Sequence, residues 1–276
     1  MIARTGLCAT ALGLAAAGIA MAETPVERGE YLVRGIAGCG NCHTPLGLDG
    51  FVMEQELGGR LVEDIPGVFT AYAPNITPGG HVAAWSDAEL ARAIREGVRP
   101  DGSLIGPPMP FAMYRGLGDE DLAAMVAFLR SMPAVENVTP ASEYQIPLPP
   151  AWGPPVETVA APARGATEEY GAYLAGPVAH CLECHMPMGA QDAYAPENLG
   201  RGGWVFNGPW GESVAANLTS HEDGLATYSD DDIRRMITEG VQTDGSATQP
   251  PMPYGYLARM APGDLDAIVL YLRSLP

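Results

Sequence analysis

Two stretches of the chain carry the apolar spacing of a helix that buries one face. Leu122, Met125, Val126 and Leu129 fall at i, i+3, i+4 and i+7, and Leu265, Ile268, Val269 and Leu272 repeat that spacing near the end of the chain. Such a stripe is a core-facing seam. Other helices are signalled by their starts. Thr24-Pro25-Val26-Glu27 reads as a capping box with proline at the first helical position, and the helix it opens runs to about Cys39. Glu168 and Glu169 after Thr167 suit the positive N-terminus of its counterpart. A middle helix starts at Ser86-Asp87-Ala88-Glu89 and stops at Gly97; Ser229 and Gly240 bound the same helix later on.

These elements come twice because the chain repeats itself. At an offset of 142 residues, Gly29, Tyr31 and Leu32 meet Gly171, Tyr173 and Leu174, and Asn75 and Thr77 meet Asn217 and Thr219. At an offset of 143, Glu96-Gly97-Val98 meets Glu239-Gly240-Val241, Pro108-Met109-Pro110 meets Pro251-Met252-Pro253, and Leu129-Arg130-Ser131 meets Leu272-Arg273-Ser274. The small Gly29 and Gly171 would let the first helix of each half approach the last one closely. Residues 44–85 and 186–228 read as long Gly- and Pro-rich loops, which a compact domain tolerates only if they wrap something. Eight prolines between 133 and 165 read as a semi-rigid tether.

The repeat also carries the chemistry. Cys39-Gly40-Asn41-Cys42-His43 and Cys181-Leu182-Glu183-Cys184-His185 are both C-x-x-C-H, the attachment pattern of a c-type haem. The two thiols reach one edge of the macrocycle as thioethers, and the histidine that follows is placed under the ring to ligate iron. One copy alone could be chance or a redox dithiol; two in the same setting are a strong signal. Met109 and Met252, each in Pro-Met-Pro, are the candidates for the opposite iron ligand, since a thioether is a soft donor and flanking prolines keep its loop extended. Met113 and Met260 are nearby rivals, but the repeat pairs neither with another methionine. The intervals agree: His43 to Met109 spans 66 residues and His185 to Met252 spans 67. His/Met ligation leaves no open position on iron and suits electron carriage.

With those residues in view, the chain resembles the class I dihaem cytochromes c, and in particular the cytochrome c subunits of quinoprotein and flavoprotein dehydrogenases such as those for alcohols and gluconate. The resemblance implies an all-α fold of two tandem cytochrome c domains, residues 23–139 and 166–276, joined by a Pro-rich linker, 140–165. It implies two covalently attached haem c groups, a dehydrogenase as electron donor and a cytochrome or oxidase as acceptor. It also implies that Asn75, Thr77, Asn217 and Thr219 lie near haem propionates, with ordinary turn residues as the alternative. Trp85 and Tyr228 stand either against haem or in the core, and the unrepeated His81, His180 and His221 read as surface or loop residues. A dihaem enzyme, of peroxidase or thiosulfate dehydrogenase type, is the competing function; it needs an open or cysteine-ligated haem, and no cysteine is spare.

Residues 1–22 read as a cleaved secretory signal, with Arg4, an apolar stretch from Leu7 to Met21 and an Ala20-Met21-Ala22 cleavage site. Cys8 leaves with it, so every remaining cysteine belongs to a C-x-x-C-H motif. An exported protein of this kind belongs in the periplasm, with no integral membrane anchor in the mature chain. Acidic residues outnumber basic ones by 33 to 15, a formal charge of −18, and every basic residue is arginine. That balance argues against nucleic acid or anionic lipid as partners. The two haem pockets are expected to face one another or lie close.

Overall fold

The structure is a computed structural model and describes residues 22–188 and 194–276. The signal expected at 1–22 lies outside them, Ala22 excepted. Helix α1 (Pro25–Tyr31) opens with the predicted box: Thr24 Oγ1 accepts from the Glu27 amide at 3.2 Å, and the Thr24 amide donates to Glu27 Oε2 at 2.8 Å. It runs on as a π-helical turn, Leu32–Ile36, into the short α2 (Gly40–His43). Two hairpins follow, β1 (Leu46–Gly47) with β2 (Gly50–Phe51) and β3 (Arg60–Ile65) with β4 (Phe69–Ala73). Then come α3 (Asp87–Glu96), α4 (Phe111–Tyr114) and α5 (Asp119–Ser131). Ser86 and Glu89 box the start of α3, and Gly97 closes it in the left-handed region at φ 66°.

After β5 (Glu143–Tyr144) the second half repeats the order. Helix α6 (Glu168–Tyr173) continues as a π turn, Leu174–Val178, into α7 (Cys181–Cys184). A hairpin of β6 (Val205–Gly208) and β7 (Gly211–Val214) precedes α8 (Asp230–Glu239), α9 (Tyr254–Leu257) and α10 (Pro262–Ser274).

The expectation of an all-α fold is corrected by these strands. They form three small antiparallel sheets, ordered β1-β2, β3-β4-β5 and β6-β7. All but β5 lie in the stretches read as bare loops. A segment without helical periodicity still has to satisfy its backbone groups, and short hairpins do so locally. Strand β4 shows why: it alternates buried and half-buried residues, so Phe69, Ala71 and Ala73 face inward. Strand β5 comes from the Pro-rich stretch, which follows the first half instead of leaving it. Glu143 and Tyr144 pair with Thr70 and Phe69. Trp152 stacks on Phe111 at 5.7 Å, and the Asp119 amide donates to Val159 O at 2.8 Å.

The two glycines do permit the close crossing read from their size. A Cβ on Gly29 would stand 1.9 Å from Ala124 O of α5, and one on Gly171 would stand 1.9 Å from Ala267 O of α10. Backbone carbonyls cannot rotate out of the way. Gly29→Ala or Gly171→Ala should therefore destabilise the protein by at least the roughly 1–3 kcal/mol typical of overpacking. Urea unfolding checks this, and a loss below about 0.5 kcal/mol, the level of an ordinary surface change, would contradict the crossing.

The halves pack on one another about a local two-fold. Tyr173 OH donates to Asp121 Oδ2 at 2.7 Å and accepts from the Gly118 amide at 3.1 Å. At the equivalent positions, Tyr31 OH donates to Asp264 Oδ2 at 2.7 Å and accepts from the Ala261 amide at 3.0 Å. Each tyrosine thus caps the N-terminus of the other half's last helix. The pair is unequal in one respect. Asp121 is also held by Arg28, Nε to Oδ1 at 2.8 Å and Nη2 to Oδ2 at 3.0 Å, and both partners are buried. The residue matching Arg28 in the second half is Tyr170.

Candidate functional site

Cys39, Cys42, His43 and Met109, read from the sequence as one set, line a single cavity of about 770 Å³. The turn of α2 holds three of them, with the His43 amide donating to Cys39 O at 2.9 Å. His43 Nδ1 lies 2.8 Å from Pro74 O. A carbonyl only accepts, so Nδ1 carries the proton and Nε2 keeps a lone pair for a metal. Burial pushes the His43 pKa down to about 4; the Pro74 bond opposes this and the Arg60 charge adds to it. The ring is therefore neutral at neutral pH, the form that ligates iron.

Burial raises all four thiols: Cys39 to about 12, where the neighbouring Cys42 adds to the effect, Cys181 to about 11, Cys184 to about 12, and Cys42 likewise above its ordinary value. Redox dithiols depress their thiol pKa instead, so neither pair has the character of a reactive redox dithiol. Met109 sits on a braced loop. Tyr144 OH donates to Pro107 O at 2.8 Å and Trp152 Nε1 to Ile105 O at 2.9 Å, so the Pro-rich stretch clamps the loop from outside.

The second set occupies matching positions. His185 Nδ1 lies 2.7 Å from Ala216 O, which fixes the same tautomer, and burial lowers its pKa too. Cys181 and Met252 both pack against the core, half-buried. Met113 and Met260, the rival ligands, are buried core residues at 9% and 7% exposure.

The remaining residues sort differently. Asn75 and Thr77 are buried and fully engaged: Asn75 Oδ1 accepts from Thr77 N and Oγ1, and its Nδ2 donates to Val135 O at 2.7 Å. They pin the loop to the segment after α5. Asn217 accepts from the Thr219 amide at 2.9 Å in the same turn. Trp85 and His81 line the first cavity, ring against ring at 5.1 Å. The repeated Leu-Arg-Ser acts as a clamp. Arg130 reaches Asp87 at 3.0 Å, Val82 O at 2.9 Å and Trp85 O; Arg273 reaches Asp230 at 2.9 Å, Leu225 O at 2.7 Å and Tyr228 O. Each arginine thereby holds the aromatic residue that precedes the middle helix.

Single-half reasoning missed His180 and Tyr256. Both belong to the second half, yet both line the first cavity. His180 meets Tyr114 edge-on at 5.7 Å and has φ 42°. Its equivalent in the first half is Gly38 at φ 56°, and a histidine where the repeat shows glycine was the available signal. The charge of Cys42 is felt at Cys184, and that of Glu183 at Cys42.

A haem fits the first cavity on the chain's own evidence. A neutral imidazole lone pair and a thioether line it, and two protonated thiols stand beside the imidazole. Among the described residues no group of three or more His, Cys, Asp or Glu could hold a bare metal ion. A family profile for cytochrome c matches residues 26–133.

The first half is a cytochrome c domain.

Covalent haem c follows for that domain. The whole chain is 31% identical over 263 residues to a nicotinate dehydrogenase subunit of Pseudomonas putida, covering 91% of this chain and 21% of that one. It is 29% identical to the cytochrome c subunit of the quinone alcohol dehydrogenase of Gluconobacter oxydans, covering all of this chain and 60% of that subunit. It is 28% identical to a diheme cytochrome c-type protein of Cereibacter sphaeroides, covering 87% of this chain and 82% of that one. The chain thus spans from about a fifth to three-fifths of the length of the first two. The second and third of these relatives are named as cytochrome c proteins, the second as the cytochrome c subunit of a dehydrogenase. Among the described residues, no helix is long and apolar enough to cross a membrane.

Proposed function

We propose that this chain is a dihaem c-type electron carrier of the periplasm, taking electrons from a dehydrogenase and passing them to a further cytochrome or an oxidase. His43 and Met109 ligate the first haem iron, and His185 and Met252 the second. The observation that carries the reading is the convergence of Cys39, Cys42, His43 and Met109 on one cavity, with their repeat equivalents in matching positions. When bound, the haems supply one-electron chemistry. The chain's residues do the rest. Pro74 O and Ala216 O orient the proximal imidazoles and keep them basic at Nε2. Tyr144 and Trp152 brace the loop that carries Met109, which would hold its thioether in place for the iron.

The test is reduction by a donor. The oxidised protein is mixed anaerobically with a quinone-dependent alcohol dehydrogenase freed of its own cytochrome, and with ethanol. Both haems should reduce during turnover, and peroxide should not be consumed. Unchanged ferric spectra together with rapid peroxide turnover would replace the reading with a dihaem enzyme.

A further inference from the structure

The two sites share a plan but not their charges. Arg99 lines the first cavity. Arg60 Nη2 donates to Asn41 O at 2.7 Å, between the two attachment cysteines, and its Nη1 donates to Leu61 O at 2.9 Å. Its Nε is buried without a partner, and its charge is felt at both Cys42 and His43. Backbone bonds fix the register with the second half. His43 O accepts from the Gly59 amide at 2.6 Å, and His185 O from the Gly202 amide at 3.0 Å, so Arg60 corresponds to Gly203. The Arg99 amide donates to Ser103 O at 2.9 Å, and the Gln242 amide to Ser246 O at 2.8 Å, so Arg99 corresponds to Gln242. Both cations of the first site are uncharged in the second.

The acids do not cancel this. Asp101 lines the first cavity, but Asp244 occupies the same turn in the second half, each bound to a serine amide at 2.9 Å. Glu183 is felt at both Cys42 and Cys184 and acts on both sites. The charge of Glu63 is felt at Cys42, but Glu63 is exposed and screened by solvent. Arg201, beside Gly202, is exposed and screened by solvent.

We propose that Arg60 and Arg99 make the first site the electron-holding one, so that electrons enter at the second half and pass to the first. This rests on the dihaem reading above. One-electron reduction lowers the charge of a centre by one unit, and a fixed cation nearby favours the reduced form, more strongly in an enclosed site. The first site is the more enclosed: His43 is buried and His185 half-buried, and Thr139 to Ser142 and Tyr144 wall the first cavity. In the internal step the second iron goes from ferrous to ferric and the first from ferric to ferrous. No proton moves and no bond is exchanged.

The test is a potentiometric titration of the full dihaem protein, which should show two one-electron waves. Met109→Ala should displace the upper wave and Met252→Ala the lower one. In the Arg60→Gln, Arg99→Gln double variant the upper wave alone should fall. The equilibrium constant between the sites should shift about tenfold toward parity, about 59 mV for one electron. Lysine at both positions should keep the gap, because the charge remains while the guanidinium bonds are lost. The proposal is overturned if Met252→Ala displaces the upper wave, if the glutamine variant leaves the upper wave in place, or if glutamine and lysine act alike. A protein with no covalent haem would show no wave and would sink the functional reading with it.

Discussion

Asp121→Ala should remove about 3–5 kcal/mol of stability, the penalty for leaving a buried partner charge uncompensated. Asp121 is 4% exposed and holds the Arg28 guanidinium through two bonds and Tyr173 OH through a third. The variant strands Arg28 between α1 and α5 and cuts a contact joining the halves. Asp264→Ala at the matching position should remove less, about 1.5–3 kcal/mol, since it deletes one hydrogen bond from the neutral Tyr31 OH to a carboxylate and strands no charge. The contrast separates a buried charge from mere membership of the interface. pH dependence follows from the same group. Burial pushes the Asp121 carboxyl up, but the Arg28 bond and charge and the Tyr173 bond together hold it below its ordinary value. A carboxyl whose pKa is lower in the folded state stabilises above the unfolded value, about 3.9, and that stability is lost as pH falls through the folded value. The acid limb of the wild-type stability curve should therefore flatten in Asp121→Asn. Equal losses for Asp121→Ala and Asp264→Ala, measured in urea at pH 7, would contradict the account.

Met109→Ala and Met252→Ala should each abolish the weak far-red methionine-to-ferric-iron band of one haem, lower that haem's potential and open it to carbon monoxide. Met113→Ala and Met260→Ala should do none of this. They should instead cost about 2–5 kcal/mol of stability, as core truncations do, because both side chains are buried in the apolar core. The four variants form a two-by-two test: a spectral loss with little unfolding against unfolding with an intact band. The reverse pattern would exchange the ligand and core assignments.

The helices were legible because their signals are local. The Thr24 and Ser86 boxes, the Gly97 and Gly240 stops and the two apolar stripes need no information from elsewhere in the chain, and each appears where it was read. The strands were not legible, for two physical reasons. The alternation in Phe69 to Ala73 is only five residues long, and the edge strand Glu143–Tyr144 comes from a Pro-rich stretch that looks like linker. Long-range polar pairs were hidden as well. Arg28 and Asp121 are 93 residues apart, and no local pattern marks them as partners. The attachment turns were readable from spacing, whereas the wall that His180 and Tyr256 lend to the first cavity arises only when the halves dock. The repeat did flag Tyr31 and Tyr173 as equivalent, and their reciprocal capping gives that equivalence a cause.

The central claim is that both C-x-x-C-H turns carry haem, and the mass of the denatured protein tests it most directly. The protein is purified from a host that attaches haem c, unfolded in acid and weighed. The account predicts two haem equivalents that survive denaturation, falling to one when Cys39 and Cys42 are replaced by alanine and to one when Cys181 and Cys184 are. A single haem in the wild type, with two free thiols on either turn, would contradict it.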